Sequence, residues 1–296
     1  MDGVLVQAEL QREAPSLPPV RPSTPLEAWI SDRDFQRVQS LIRRQAGIVL
    51  SAQKRDMVSR RLGKRLRTLG LQDLGAYMDQ VEGGDQAELQ EFRNALTTNL
   101  TAFFREPHHF QVLKDYFASH GRGHTYRVWS AACSTGEEPY SIAMSAIEHF
   151  GSLHPPVRIL ATDLDTEVLA HARAGIYAEE RIQSLGRERK RAFFLRGQGE
   201  FEGKVRVQAP LKSLVQFRAF NLLSEIYEIR PEVDVVFLRN VMIYFDRDAQ
   251  RQILRRMRQL IRPDGLLIIG HSENLFHCSE LFRSLGQTVY QPVGSG

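Results

Sequence analysis

Three carboxylates and one glycine frame the chemistry open to this chain. In Trp129-Ser130-Ala131-Ala132-Cys133-Ser134-Thr135-Gly136 an apolar run ends in a small-residue turn, and Glu137 and Glu138 follow at once. Gly136 permits a tight turn and Pro139 is tolerated in a first helical turn, so the pattern predicts a buried strand, a turn and a helix. Ligands of open α/β sheets bind in the crevice beyond the C-terminal ends of the strands. A dinucleotide would need its pyrophosphate on the free N–H groups of that helix start, where two carboxylates repel it. The expected ligand is therefore cationic and phosphate-free, and S-adenosylmethionine, with a sulfonium, an ammonium and a ribose diol, meets that description. A second strand-like run, Val157 to Asp163, ends in the acid that suits ribose hydroxyls. Of Asp163 and Asp165, one is expected to serve the ligand and the other to cap the helix beginning at Thr166.

Elements that could hold these groups are legible around them. From Arg127 onward strands and helices alternate, with strands expected over 126–132, 157–163, 214–221, 233–239, 265–270 and 287–292 and a helix over Asp248 to Ile261. This alternation predicts a mostly parallel, doubly wound sheet. Phe194 to Val207 breaks the pattern with Gly197, Gly199 and Gly203 between short β-branched runs, which suggests a small antiparallel insertion. Upstream the periodicity is helical. Phe35, Val38, Leu41 and Ile42 share one face behind Ser31 or Asp32, Ser51 to Thr68 carries a stripe of Met57, Val58, Leu62 and Leu66, and shorter helices follow around Leu74 to Val81 and Gln86 to Leu96. The first 25 residues hold five prolines and little periodicity, as in a disordered leader. The expected units are thus a leader over 1–30, an all-α domain with its linker over 31–98, and an α/β domain over 99–296 containing an insertion at 194–213.

The 296 residues suit about two domains, and no apolar run approaches a membrane span. With Cys133 and Cys278 alone a disulfide framework is not expected, which points to a reducing cytoplasm. The net charge of +4 is unevenly spread. Within Ser51 to Arg67, seven bases (Lys54, Arg55, Arg60, Arg61, Lys64, Arg65, Arg67) face Asp56 alone. Such a run is ordinarily a solvated helix face.

Several uncommon motifs occur in one order: Leu96-Thr97-Thr98-Asn99-Leu100-Thr101-Ala102-Phe103-Phe104-Arg105-Glu106, the Ser134 to Ser141 turn, Ala161-Thr162-Asp163-Leu164-Asp165, Phe220-Asn221-Leu222-Leu223, Arg239-Asn240-Val241-Met242-Ile243-Tyr244-Phe245 and Gly270-His271-Ser272-Glu273-Asn274. In this series the chain resembles the CheR family of chemotaxis receptor methyltransferases from about Ser31 to Pro292. The resemblance implies an all-α N-terminal domain before a Rossmann-like, doubly wound methyltransferase sheet carrying a small antiparallel β insertion. It implies transfer of a methyl group from S-adenosylmethionine to glutamate side chains on the cytoplasmic helices of membrane chemoreceptors, leaving S-adenosylhomocysteine. By the same resemblance the cofactor positions fall on Asn99, Thr101, Arg105, Glu137, Asp163, Asn221, Leu222, Arg239 and Asn240. It assigns receptor contact to Lys54, Arg55, Arg60, Arg61, Lys64 and Arg67, and binding of a receptor tail peptide to the insertion at Arg196, Gly197, Gly199, Gly203 and Arg206.

A glutamate nucleophile with an ordinary pKa near 4.3 is already ionised at neutral pH, so this displacement needs alignment and exclusion of water rather than a strong base. Arg105 and Tyr244 are the candidates for positioning the reacting groups. Asn221 and Asn240 have turn closure as a plainer role, Thr101 a helix cap, and Tyr244 core packing. His108, His109 and His271 lack partners at metal-ligand spacing, so no metal is expected. A nucleic-acid methyltransferase would suit the sequence pI near 9.2, but Arg239-Asn240-Val241-Met242 lacks the Pro-Pro-aromatic pattern associated with methylation of base amines. A non-catalytic receptor adaptor is the other alternative, disfavoured by retention of both acids, Arg105 and Tyr244. Neither nucleic-acid binding nor membrane insertion is expected.

Overall fold

Ser31 opens the first helix because its hydroxyl accepts the Asp34 N–H at 3.0 Å, and Gly47, at φ +69°, closes it. This helix, α1 (Asp32–Ala46), packs with α2 (Arg55–Leu69), α3 (Leu74–Glu82) and α4 (Gln86–Leu96) around Val38, Ile42, Val58, Leu62, Tyr77, Met78 and Phe92. The computed structural model describes residues 30–121 and 123–294. The expected leader falls on residues 1–29, outside the described ones, except that Ile30 is already buried in the helical core. The helix expected from Ser51 begins with a tight single turn at Ala52–Lys54 before α2 proper.

The second unit follows a linker: α5 (His108–His120), β1 (Tyr126–Ala131), α6 (Glu137–Phe150), β2 (Val157–Asp163), α7 (Thr166–Ala174), β3 (Ile176–Ala178), α8 (Arg187–Phe193), β4 (Phe194–Arg196), β5 (Lys204–Val207), α9 (Ala209–Leu214), β6 (Val215–Ala219), β7 (Val233–Leu238), α10 (Arg247–Leu260), β8 (Ile261–Ile269), β9 (Phe282–Gly286) and β10 (Val289–Pro292). The main sheet runs β6-β2-β1-β7-β8-β10-β9, with β10 antiparallel to both neighbours. β1 pairs in parallel with β2 and β7, so the chain order reverses at β1. The crevice opened by that reversal is where a ligand is expected. β7 is buried along its whole length, with Val235 and Phe237 in one core layer and Val236 and Leu238 in the other. Burial on both faces accounts for its unbroken apolar sequence.

Two strands depart from the sequence expectation. The small sheet has the order β3-β5-β4, so its first strand lies upstream of α8 and outside the expected insertion at 194–213. β3 is three residues long and carries no periodicity to read. β9 was also unanticipated, because Phe282 alone is buried in an otherwise exposed edge strand. Within the insertion, Gly199 and Gly203 take φ +60° and +76°, as turn glycines do. Gly197 has a different cause: a Cβ there would lie 2.0 Å from the Phe201 carbonyl oxygen.

Candidate active site

The turn after β1 is built by a carboxylate from the neighbouring strand. Ser134, held at φ +49°, donates its N–H to Asp163 Oδ2 at 2.8 Å, and Asp165 donates its own to Asp163 Oδ1 at 3.0 Å. Asp165 caps α7 by accepting the Glu167 and Val168 N–H groups at 2.9 and 3.2 Å. Its other oxygen holds the linker, accepting Thr97 Oγ1 and Asn99 Nδ2 at 2.8 Å each. Asp163 borders the cavity beyond the strand ends and Asp165 does not, which divides the two acids between the site and the cap. Burial pushes the Asp163 carboxyl up to about 6, against the pull of the backbone N–H groups.

This cavity, of about 340 Å³, lies over the C-terminal ends of β1, β2, β6 and β7. The linker contributes Asn99, Thr101 and Arg105, the strand ends contribute Asp163, Leu222, Arg239 and Asn240, and Tyr244 stands in the turn before α10. Arg105 donates Nη1 to the Leu100 carbonyl at 2.8 Å, which folds the linker back on itself. Seven of the nine expected cofactor positions therefore come together.

Glu137 and Asn221 do not line the cavity. Adjacent helical residues point about 100° apart, so only one of Glu137 and Glu138 can face it, and the residue that does is Glu138. Glu137 is buried against Arg181, whose Nε donates to it at 3.1 Å, and against the Thr135 hydroxyl at 2.6 Å. Asn221 closes a turn through the Leu223 N–H at 2.9 Å and donates Nδ2 to the Gln45 carbonyl of α1 at 2.8 Å. The latter bond belongs to a feature absent from the sequence reading: the helical domain forms a wall of the cavity. Ala46, Val49, Leu50, Lys54, Met57 and Arg61 line it. Val49 donates to the Tyr244 carbonyl at 2.9 Å, and a Cβ on Gly47 would meet Phe245 and Leu223 at 2.8 and 2.9 Å.

Charge beneath the cavity is balanced by Arg239. Its Nη1 donates to Glu138 Oε2 at 2.9 Å and its Nη2 to the Arg105 carbonyl at 2.5 Å, with Glu106 Oε2 at 3.4 Å. Burial raises the Glu138 carboxyl, with Arg239 and the Ser130 hydroxyl opposing it. At Glu106, burial is outweighed by His271, Arg239 and Asn240, which hold it down to about 2. His109 is pushed down to about 4 by burial and by Arg239. Cys133, beside the site, is fully buried and its thiol is driven well up by burial, so it offers no nucleophile.

Among the described residues the buried Arg239 Nε has no hydrogen-bond partner, and the cavity presents carboxylates, amides and guanidinium groups beside apolar side chains. That donor set fits S-adenosylmethionine. Asp163 suits a ribose diol, Glu138 the cationic end, and Arg105 or Arg239 a carboxylate.

The basic run divides in two. Arg55 donates to the Ile30 carbonyl at 3.0 Å and pairs with Asp32, Arg65 pairs with Glu88 at 2.6 Å, and Arg61 turns to the Ala95 and Thr97 carbonyls on the cavity wall. Lys54, Arg60, Lys64 and Arg67 remain exposed, the last three on one stripe of α2. Arg55 and Arg61 thus serve the fold and the cavity before any surface. In the insertion Arg196 and Arg206 are exposed, Arg196 pairing with Glu179 at 3.3 Å.

Residues 33–97 match the family model described as the CheR methyltransferase all-alpha domain, and residues 99–291 match the CheR methyltransferase SAM binding domain. The chain is 50% identical over 262 residues to a chemotaxis protein methyltransferase of Escherichia coli K12, covering 88% of this chain and 91% of that one. It is 50% identical to chemotaxis protein methyltransferase 2 of Pseudomonas aeruginosa over 261 residues, covering 88% and 93%. The Salmonella typhimurium chemotaxis protein methyltransferase is 49% identical over 262 residues, covering 88% and 90%.

Proposed function

We propose, from the premise that this chain belongs to the CheR methyltransferase family and is an S-adenosylmethionine-dependent methyltransferase, that its acceptors are glutamate side chains on the cytoplasmic helices of membrane chemoreceptors. The products are glutamate methyl esters and S-adenosylhomocysteine, and the compartment is the cytoplasm. The observation that carries this reading is the continuity between the cavity and an exposed basic helix: Lys54 and Arg61 stand on the cavity wall while Arg60, Lys64 and Arg67 continue outward along α2. An acidic helix lying along that stripe would bring a carboxylate to the mouth. Bound S-adenosylmethionine supplies an electrophilic methyl group. The protein's share is to hold Tyr244 and Arg105 at the mouth, to exclude water with the apolar wall of Val49, Leu50, Met57 and Leu222, and to leave the incoming carboxylate loosely held. No base is needed, in keeping with a wall whose acids are bound to N–H groups or Arg239.

Radiolabelled S-adenosylmethionine with receptor-rich membranes tests the reading, because a methyl ester releases volatile label on alkaline hydrolysis whereas an N-methyl group does not. Label transferred only to DNA or RNA would point to the nucleic-acid alternative, and absence of transfer from a cofactor that binds would point to an adaptor.

Charge reversal of Arg60, Lys64 and Arg67 to Glu is expected to lower receptor methylation roughly tenfold while leaving S-adenosylhomocysteine affinity unchanged. Exposed pairs are individually weak and screened within about 8 Å, so the wild-type rate should itself fall as salt rises. Wild-type rates in the triple variant would make the stripe a solvated face.

The small sheet is read as the docking site for a receptor's C-terminal tail. Gly197 N–H bonds the Lys204 carbonyl and Gln208 N–H the Phe193 carbonyl, so by antiparallel alternation Arg196 turns its amide groups to the outer edge of β4, while the Phe194 N–H is taken by the Lys190 carbonyl at the end of α8. A tail peptide could add there as a strand, with Arg196 or Arg206 pairing its carboxylates. Gly197→Val forces a Cβ into the Phe201 carbonyl and should abolish calorimetric binding of tail peptides without altering cofactor binding. Failure of every chemoreceptor tail of the host organism to bind the wild-type protein removes this role.

A further inference from the structure

The segment between β7 and α10 carries Arg239, Asn240, Val241 and Tyr244 into the cavity, yet it begins outside any helix or strand. Asn240 sits at φ +56°, and the N–H groups of Asn240, Val241 and Met242 have no ladder to join. Backbone donors in so buried a place require acceptors. One side chain supplies them all. Glu273, 7% exposed, accepts Val241 and Met242 N–H on Oε1 at 2.9 and 2.7 Å, and Asn240 and Gly270 N–H on Oε2 at 2.9 and 2.7 Å.

A carboxylate has about four lone-pair sites, and here every one is taken by a backbone donor. Glu273 therefore has no bond left for a ligand, and it does not border the cavity. Gly270 completes the clamp by letting the loop after β8 press against Asn240: a Cβ at position 270 would stand 2.3 Å from Asn240 Nδ2. The Asn240 side chain is held independently, by Glu106 Oε1 at 3.3 Å.

We infer that Glu273 is a positioning residue for the cofactor site, fixing the Arg239–Tyr244 turn so that Asn240 and Tyr244 face the cavity before any ligand arrives. Preorganisation of this kind shows in affinity, since a site that must be ordered on binding binds more weakly. The inference rests on the cavity being the S-adenosylmethionine site and is independent of the acceptor.

The test uses the full-length protein with Glu273→Gln and Glu273→Ala, titrated calorimetrically with S-adenosylhomocysteine. Binding by the wild type is the control, and its absence would overturn the assignment of the cavity rather than that of Glu273. Glutamine keeps the shape and one oxygen, but turns an amide N–H₂ toward two of the N–H donors; alanine removes both acceptor oxygens and leaves all four donors without them. The dissociation constant is expected to rise about tenfold in Glu273→Gln and further in Glu273→Ala, with circular dichroism unchanged at the assay temperature. The same variants should lose ligand-induced thermal stabilisation in that order, a readout that a general loss of stability does not move. Wild-type affinity in folded Glu273→Gln would overturn the inference. So would failure of Glu273→Gln to fold, which would assign the residue to the stability of the domain.

Discussion

Asp163→Ala is expected to raise the dissociation constant for S-adenosylmethionine roughly tenfold to a hundredfold, because a hydrogen bond to a charged group contributes about 1.5–3 kcal/mol. The effect should lie toward the upper end, since Asp163 also holds Ser134 at positive φ and Asp165 at the start of α7. Asp163→Asn retains one oxygen and should fall between. The carboxyl's raised pKa, about 6, gives the pH dependence its sign. Because the folded value exceeds the ordinary one, the protonated Asp163 carboxyl favours the folded over the unfolded state most at acid pH, and that contribution is lost as pH rises through about 6. Ribose hydroxyls need the ionised form as acceptor, so cofactor affinity should run the other way, weakening as pH falls below about 6. Calorimetric titration between pH 5 and 8 checks the affinity and thermal denaturation over the same range checks the stability, and an affinity indifferent to Asp163→Ala in a folded variant would remove this residue from the site.

Arg239→Leu is expected to be the most damaging substitution to the fold. Removing one partner of a buried ion pair costs about 3–5 kcal/mol, because the charge left behind is uncompensated. Here Glu138 loses its guanidinium partner, Glu106 loses a neighbouring cation and the Arg105 carbonyl loses its donor. For a domain of this size such a loss lowers the melting temperature by about 10 °C. Glu138→Gln in the same chain should recover much of the melting temperature without recovering cofactor binding, since the guanidinium would still be missing from the cavity wall. A single variant that melts with the wild type would show that the Arg239–Glu138 pair is replaceable.

The contrast between these two residues marks how far the sequence could be read. α4 and β2 begin and end where periodicity and caps place them, because a helix stripe and a strand ending in Asp163 are local patterns. The resemblance brought forward seven residues that meet in one cavity. What remained hidden is set by distance along the chain. Nothing local distinguishes Glu137 from Glu138, since which one faces the cavity depends on Arg181, 44 residues onward. Gly270 to Asn274 is legible as a motif, but the role of Glu273 depends on a turn about 30 residues earlier. Asn221 fits the expected turn closure, and its bond to Gln45 spans 176 residues. The basic run reads as seven equivalent charges, of which tertiary contacts draw Arg55, Arg61 and Arg65 out of the surface set.

The roof that α1 and α2 place over the cavity bears on how such a protein can be re-engineered. A chimera joined near residue 98 would look like an exchange of recognition modules, yet it would replace Val49, Leu50 and Met57 in the wall of the cavity and unpair Arg43 from Asp246. Specificity and catalysis are not separable cassettes at that junction. A transplant meant to redirect the enzyme would have to keep the host's Arg43, Val49, Leu50, Met57 and Arg61 and graft only the outward stripe of α2 at Arg60, Lys64 and Arg67.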